Sequence, residues 1–328
     1  MKKFAWSLLA LVGNGIWAEV VEIPDPNLRK AVEQALYVEG GEDITKEVLA
    51  RLTALDANGR QIKNLSGIES CINLTELKLS FNQLTDLTSF NGANLPNLTQ
   101  LDLHGNQLID ISGLAWANLP HLKTLKLDQN QITDLSGLAG ANLPNLAVLG
   151  FHGNQLTSLS SLAGANLPRL ADLFLNENQI TDLSGLAGAN LPSLALLGLY
   201  GNQLTDLTGF NGANLPHLKT LKLDQNQLTD LSGLAGANLP NLAVLGLYGN
   251  QLTSLSSLAG ANLPRLADLL LNENQITDLS GLAQANLPAL TYLGINNNQL
   301  TDLSGLAEAS LPSLRHVYLT SNPLTTEV

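Results

Sequence analysis

Two histidines and an aspartate recur at equal intervals and could bind a metal ion. His104, Asp128 and His152 are separated by 24 residues each. If each interval is one turn of a repeating coil, neighbouring positions lie about 4.8 Å apart, and imidazole and carboxylate groups are ligands that Zn²⁺ accepts. In a duplicated stretch, however, tyrosines replace both histidines around Asp224. We therefore expect no metal and no cofactor, and keep the three residues as an alternative zinc site.

A row of aspartates follows the same interval and raises the possibility of calcium binding. No glycine-rich calcium-binding nonapeptide accompanies them. Each lies in a turn resembling TDLSGL, where a carboxylate accepts hydrogen bonds from nearby backbone amides. We expect a structural or solvated role for this row, which comprises Asp86, Asp110, Asp134, Asp182, Asp206, Asp230, Asp278 and Asp302.

The other reactive residue types do not form a converging catalytic set. Cys71 is the sole cysteine, and later repeats place Leu95 and Leu119 at its position. It is therefore expected to be a buried apolar side chain. His121 and His217 follow prolines in equivalent copies and are expected at the surface. The chain is predicted not to be an enzyme.

The amino terminus and the net charge limit the possible partners. Residues 1–18 combine Lys2 and Lys3, a short apolar run and a small residue before Glu19, which is typical of a secretory signal peptide. Removing its two lysines changes the formal charge from −12 to −14. Nucleic acid and anionic lipid attract clustered cations. We expect export to the periplasm, the cell surface or the medium, no membrane insertion after cleavage, and no nucleic-acid partner.

Most of the chain is an internal repeat. An asparagine recurs every 24 residues, and each copy reads approximately LxxLxLxxNxLTDLxxLxxANLPx. Within LxLxx the alternation has a period of two, so the leucines point inward and the residues between them point outward. One coil cannot bury its leucines alone, so the coils must stack. We predict one short strand per coil, and turns or 3₁₀ segments on the return side because proline disfavours helix in the preceding residue.

The recurrent asparagine is predicted to be structural. At the bend that follows the strand, a buried amide can bond to backbone groups of its own coil and of the next coil. In the first coil Arg60 takes this position. A second column, in the ANLP motifs from Asn94 to Asn286, is expected to act similarly. The predicted ladder comprises Asn82, Asn106, Asn130, Asn154, Asn178, Asn202, Asn226, Asn250, Asn274, Asn298 and Asn322.

The repeat from residue 52 onward resembles the leucine-rich-repeat family. Before it, residues 19–51 contain IPDPNLRKAVEQAL, with Asp25 as a helix N-cap and Pro26 at the first helical position, and ITKEVLARL, which predicts a second helix from Thr45. This start resembles the helical cap of bacterial internalin-like proteins. The resemblance implies an α/β solenoid of about 12 repeats over residues 52–328. It would be a horseshoe or curved right-handed superhelix with a parallel concave β-sheet, a convex side of turns and 3₁₀ segments, and a small helical N-terminal cap.

The outward strand positions are predicted to form a binding surface. From Lys126 onward, glycine alternates with a bulky residue in the middle outward column, and the aromatic residues beside the glycines can lie over the gaps. Aromatic and cationic groups on a rigid sheet are typical of binding hot spots. The predicted partner-binding residues are Lys126, His152, Phe174, Tyr200, Lys222, Tyr248, Tyr292 and Tyr318.

The alternation has a second possible origin in duplication. Residues 122–193 and 218–289 match at all but six of 72 positions, so a block of three coils was copied, together with its glycines, at a distance of four coils. Protein binding on the concave sheet, which the family resemblance implies, is the function that we expect. Binding of a glycan or cell-envelope polymer and a purely structural spacer stay open as alternatives. The oligomeric state does not follow from the sequence.

Overall fold

The leucine alternation produces twelve short strands that form one sheet. The computed structural model describes residues 19–325. Every strand in it has three residues, and the central residue is buried in the first eleven. The strands are β1 Ala54–Asp56, β2 Glu76–Lys78, β3 Gln100–Asp102, β4 Thr124–Lys126, β5 Val148–Gly150, β6 Asp172–Phe174, β7 Leu196–Gly198, β8 Thr220–Lys222, β9 Val244–Gly246, β10 Asp268–Leu270, β11 Tyr292–Gly294 and β12 His316–Tyr318. They pair in chain order, and each pair is parallel, which confirms the predicted sheet.

The register advances by one coil per strand without an offset. Leu101 pairs with Leu125, and Leu125 pairs with Leu149. Partners are 24 residues apart at these steps, whereas Leu55 pairs with Leu77 after 22. Because no offset accumulates, residues at one position of the repeat form a continuous column across the sheet.

The return side of the coils contains 3₁₀ turns and single-turn helices, as predicted. Within residues 19–325 no helix has the length and apolar character needed to cross a membrane. The 3₁₀ segments are Ile68–Ser70, Thr88–Phe90, Ser112–Leu114, Ser160–Gly164, Thr208–Phe210, Ser232–Gly236 and Ser256–Gly260. The short helices, numbered after the two helices that precede β1, are α3 Gly137–Gly140, α4 Gly185–Gly188, α5 Ser280–Gln284 and α6 Ser304–Ala307.

Two helices precede the first strand, where the sequence predicts them. They are α1 Pro26–Leu36 and α2 Lys46–Leu49, with Asp25 and Thr45 as their N-caps. The buried face of α1 consists of Leu28, Ala31, Val32 and Leu36, which join the same hydrophobic core as the coils. The predicted signal peptide, residues 1–18, lies outside the described residues.

Asp25 connects α1 to the first coil. One carboxylate oxygen accepts hydrogen bonds from the N–H groups of Asn27 and Leu28, and the other from those of Lys63 and Asn64. Burial alone would raise the pKa of Asp25, but the four N–H groups stabilise the carboxylate, so its pKa lies below the ordinary value. The same carboxylate therefore caps the helix and fixes its position on the solenoid.

The core is continuous until the last coil. The inward leucines in and directly after each strand, for example Leu125 and Leu127, are fully buried. In the last coil the equivalents Val317 and Leu319 are only half-buried, because no further coil of the described residues stacks on them. This contrast shows that each coil depends on its neighbours for burial.

The buried asparagines form the predicted ladder, but they bond to the preceding coil and not to the next one. The Asn130 amide donates to the carbonyl of Leu103 in the preceding coil at 3.1 Å and to that of Leu127 in its own coil at 3.0 Å. Its oxygen accepts the N–H of Leu108, also in the preceding coil, at 3.0 Å. Each asparagine therefore closes the bend of the coil before it.

The ANLP asparagines form a different ladder. The Asn118 amide donates to the Asn94 oxygen at 2.7 Å, and the Asn142 amide donates to the Asn118 oxygen at 2.8 Å. These side chains are exposed and bond to one another, whereas the buried ladder bonds to the backbone. Water can replace the exposed amide bonds, so they contribute less to stability.

The two ladders predict different costs of substitution. Asn130→Ala would leave buried backbone groups unpaired and is expected to lower the free energy of unfolding by roughly 1 to 3 kcal/mol. Asn118→Ala in the same repeat should change it by less than about 0.5 kcal/mol, since it removes an exposed group. Denaturant unfolding followed by circular dichroism measures both values, and equal losses would contradict the assigned roles.

Candidate functional site

The side of the sheet that faces away from the core, here called the open face, is built from the outward strand positions. Lys126 pairs in register with Gly150, and Gly150 pairs with Phe174. The same alternation continues through Gly198 and Lys222. The straight register therefore produces the column of glycines and bulky residues that the sequence predicts.

Polar side chains of the preceding coil lie beside the open-face glycines. A Cβ atom at Gly150 would lie 2.6 Å from the Asp128 carboxylate, and a Cβ at Gly198 would lie 2.8 Å from the Asn176 amide. The aromatic side chains were expected to lie over these gaps. The groups nearest to the glycines are instead carboxylate and amide groups. The reason is that Asp128 and Asn176, each two residues after a bulky strand residue, lean toward the next coil.

These polar side chains form an outer ladder along the open face. Asp128 accepts the backbone N–H of His152 at 2.8 Å, and Asp224 accepts that of Tyr248 at 2.9 Å. Asn176 makes the same bond to Tyr200 at 3.1 Å. Sequence reasoning missed this ladder, although a signal was present: each Asp or Asn precedes, by 22 residues, a glycine in the next coil.

The aromatic side chains on this column reach forward to the following coil. The hydroxyl of Tyr200 donates to Gln225 at 3.0 Å, and that of Tyr248 donates to Glu273 at 2.8 Å. The bond to the Glu273 carboxylate raises the pKa of the Tyr248 hydroxyl. Because both rings are tethered at their tips, the protein holds them before any ligand binds.

Two clefts lie side by side on the open face. The first has a volume of about 430 Å³ and is lined by His104, Lys126, Asp128, Val148, Gly150, His152, Phe174 and Asn176. The second has a volume of about 380 Å³ and is lined by His152, Asn176, Tyr200, Lys222, Asp224 and Tyr248. His152 and Asn176 line both clefts, so the two are continuous.

The clefts bring together six of the eight residues predicted to bind a partner, namely Lys126, His152, Phe174, Tyr200, Lys222 and Tyr248. Tyr292 and Tyr318 line neither cleft. Their rings pack against each other at the carboxyl end of the sheet, with centroids 5.0 Å apart and planes inclined by 30°. The predicted surface therefore divides into a central six-residue patch and a separate tyrosine pair.

The alternative zinc residues line one cleft but are engaged elsewhere. Asp128 bonds to the backbone of His152, and the His104 ring packs edge-on against Phe81 with centroids 4.8 Å apart. Among residues 19–325, no group of three or more His, Cys, Asp or Glu side chains is arranged to hold a metal ion.

The aspartate row accepts hydrogen bonds within its own turns. Asp86 accepts the N–H and hydroxyl of Thr88, and Asp206 does the same with Thr208. These bonds lower the pKa of both carboxyls, with the threonine hydroxyl as the largest cause. One oxygen of each carboxylate, Oδ1, therefore accepts both hydrogen bonds of the turn, in agreement with the structural role expected for this row.

Cys71 is unsuited to nucleophilic chemistry. Its side chain is fully buried, as the sequence predicts. Burial raises the pKa of the thiol to about 12, so the reactive thiolate is almost absent at neutral pH.

Comparisons with known proteins match the repeats and the whole fold. The sequence model described as leucine rich repeat matches residues 72–132, 120–180, 144–204, 192–252, 216–276 and 264–324. The chain is similar to the crystal structure of an internalin, inlF, from Listeria monocytogenes, with 32% identity over 92% of this chain and 91% of that chain and a TM-score of 0.63. Internalin C2 from the same organism gives 32% identity over 85% of this chain and 100% of that chain, with a TM-score of 0.51.

A further relative is matched over a short segment only. Internalin J of Listeria monocytogenes is 36% identical over 64 residues, which is 20% of this chain and 7% of that relative. The chain thus spans a small part of the length of this longer protein.

The outer ladder predicts an unusual pH dependence for Asp224. Burial raises the pKa of this carboxyl, although the hydrogen bond from the Tyr248 N–H acts in the opposite direction. Because the carboxyl holds its proton more tightly in the folded state than in the unfolded state, protonation stabilises the fold at pH values below the unfolded-state pKa. This contribution to stability is lost as the pH rises through the folded-state pKa. Asp224→Asn keeps the acceptor oxygen and should therefore raise the melting temperature at pH 7 but not at pH 3.

Asp206→Asn is the matched control. Its pKa is lowered by Thr208, so the ionised carboxylate stabilises the fold at neutral pH and the substitution should lower the melting temperature at pH 7. Thermal unfolding of both variants at the two pH values tests the assignment. A lower melting temperature of Asp224→Asn at pH 7 would refute it.

Proposed function

Because the chain belongs to the leucine-rich-repeat family, with internalins among its relatives, we propose that it is a scaffold that binds another protein on the open face of its sheet. The observation that carries this proposal is the convergence of six predicted contact residues on two continuous clefts. Aromatic and cationic side chains in a partly enclosed, rigid setting have the composition of a binding hot spot.

The support is energetic as well as geometric. Tyr200 and Tyr248 are half-buried and tethered at their hydroxyl groups. A side chain that is ordered before binding loses less conformational entropy when the partner arrives. Phe174 adds apolar area, and Lys222 is exposed beside the second cleft. A partner can therefore bury apolar surface without first ordering the sheet.

The role that we propose is non-catalytic. A catalytic site requires a nucleophile or a proton-transfer group aimed at a substrate. The clefts contain imidazole, phenol and carboxylate groups, but Asp128 and Asp224 are occupied by backbone N–H groups. The net charge of −12 also disfavours nucleic acid as the partner.

We further propose that the protein is exported. Residues 1–18 combine a basic start with a short apolar run and Ala18, and α1 begins soon after them at Pro26. Cleavage after Ala18 would leave Glu19 as the first residue of the mature chain.

The open-face proposal predicts the effect of a double substitution. Tyr200→Ala combined with Tyr248→Ala removes two tethered rings and should abolish capture of the partner that the unaltered protein retains from extracts and medium of the source cells. Trp116→Ala is the control, because Trp116 is 74% exposed but lies on the return side. Quantitative mass spectrometry of the captured proteins reads the result. A partner profile shared by all three proteins would refute the open face as the binding site.

Export predicts a defined mature terminus. Expression of the full chain in a bacterial host should yield a protein that starts at Glu19 in the periplasm or the medium, as determined by amino-terminal sequencing of the fractionated cells. Lys2→Glu with Lys3→Glu should retain the uncleaved chain in the cytoplasm. Retention of the unaltered chain there, with Met1 intact, would contradict export.

A further inference from the structure

Four of the five aromatic side chains that line the clefts repeat with a period of two coils, and the fifth, Phe174, lies in the neighbouring column. His104, His152, Tyr200 and Tyr248 are each separated by 48 residues and occupy one column of the open face. Between consecutive rings lie, in order, Asp128, Asn176 and Asp224, which belong to the outer ladder. The open face therefore presents rings that alternate with polar gaps.

The stacking distance fixes the period of this pattern. Parallel strands lie about 4.8 Å apart, so two coils span about 9.6 Å. Consecutive rings of the column thus recur every ~9.6 Å.

One type of extended peptide has nearly the same period. A polyproline II helix rises about 3.1 Å per residue with three residues per turn, so every third side chain recurs after ~9.3 Å. An extended strand repeats its side chains after ~6.8 Å, and two turns of an α-helix take ~10.8 Å. Across the three intervals from His104 to Tyr248, the repeat of a polyproline II helix falls out of register with the rings by only ~1 Å. The repeat of an α-helix falls out of register with them by more than ~3 Å.

We propose that the open face binds a basic polyproline II segment that lies across the coils and places one side chain of every three between consecutive rings. The inference rests on the proposed function and specifies the partner. Aromatic grooves recognise such segments in other proteins because the ligand is already ordered and its prolines pack on flat rings. The backbone groups of a polyproline II helix have no internal partners, so they can bond to polar groups in the clefts.

The charges on the open face determine the sign of the charge that the partner must carry. Between residues 124 and 273, the outward positions of the strands and of the turns that follow them carry six acids and two lysines. Lys123 and Lys219, which precede β4 and β8, do not reverse this excess. The acids are Asp128, Asp172, Glu177, Asp224, Asp268 and Glu273, and the lysines are Lys126 and Lys222.

The acids also repeat at a distance that fits the peptide. Glu177 and Glu273 are both exposed and are 96 residues, or four coils, apart. Four coils span ~19 Å, and six residues of polyproline II span nearly the same distance. Basic side chains that are three or six residues apart in the peptide would therefore lie near Glu177 and Glu273 along one edge of the bound segment.

Synthetic peptides test the period, the backbone conformation and the charge separately. The main probe is (Pro-Pro-Arg)₅, in which all arginines lie along one side of the polyproline II helix. A permuted peptide of the same composition scatters them, (Gly-Gly-Arg)₅ keeps the charge and period without the rigid helix, and (Pro-Pro-Glu)₅ reverses the charge. Isothermal titration calorimetry at about 0.15 M salt limits non-specific attraction.

The expected result is saturable binding of (Pro-Pro-Arg)₅ at least about fivefold tighter than that of the permuted and glycine peptides, with no binding of the acidic one. Tyr200→Ala with Tyr248→Ala should weaken it at least about tenfold. Trp116→Ala should have no effect. The pair Tyr200→Phe and Tyr248→Phe keeps the rings but removes their hydroxyl tethers, so its affinity should lie between those of the unaltered protein and of the alanine pair. This separates ring contact from a general loss of structure.

Other results would overturn the inference. Equal affinities for the three basic peptides would show charge attraction alone. Failure of every peptide to bind, together with a captured protein that the Tyr200→Ala and Tyr248→Ala pair loses, would refute the polyproline II ligand and leave the open-face function intact. Tyrosine-dependent binding of soluble chito-oligosaccharides in place of the peptides would assign the clefts to a glycan.

Discussion

The structure depends on hydrogen bonding between successive coils. Each strand pairs with the next, and each buried asparagine bonds to the backbone of the coil before it. A leucine-rich coil of this length cannot bury its own apolar side chains, and the half-buried leucines of the last coil show what happens without a neighbour. Since the backbone bonds allow only one distance between coils, they also set the spacing of every side chain on the surface.

This fixed spacing turns the open face into a periodic surface. The rings at positions 104, 152, 200 and 248 are at equal intervals because the intervening coils have equal length and zero offset. A surface of this type discriminates between ligands by their own repeat distance as well as by their chemistry. The outer ladder and the tethered tyrosine hydroxyls hold the pattern in place before a ligand arrives, which reduces the entropic cost of binding.

Duplication and function are compatible explanations of the pattern. Copying a block of three coils at a distance of four coils reproduces the glycines and the acids at the distances that stacking requires. The two copies differ at His152 and Tyr248, yet both residues donate their backbone N–H to the aspartate of the preceding coil. The structural constraint therefore preserves the glycine and the acidic residue, while the flat side chain is free to vary between imidazole and phenol.

The sequence alone was sufficient for the strands, the inward and outward residues, the buried asparagines and the helices that begin after Asp25 and Thr45. These features follow from local periodicity and from capping, which act within a few residues. The interactions between coils were accessible only from the tertiary structure. They include the direction of the Asn130 bonds, the position of Asp128 beside Gly150 and the separation of Tyr292 and Tyr318 from the clefts. Residues about one repeat apart are brought together by the stacking of the coils. The sequence shows the length of the repeat, but it does not show whether a side chain leans toward the preceding coil or the next one.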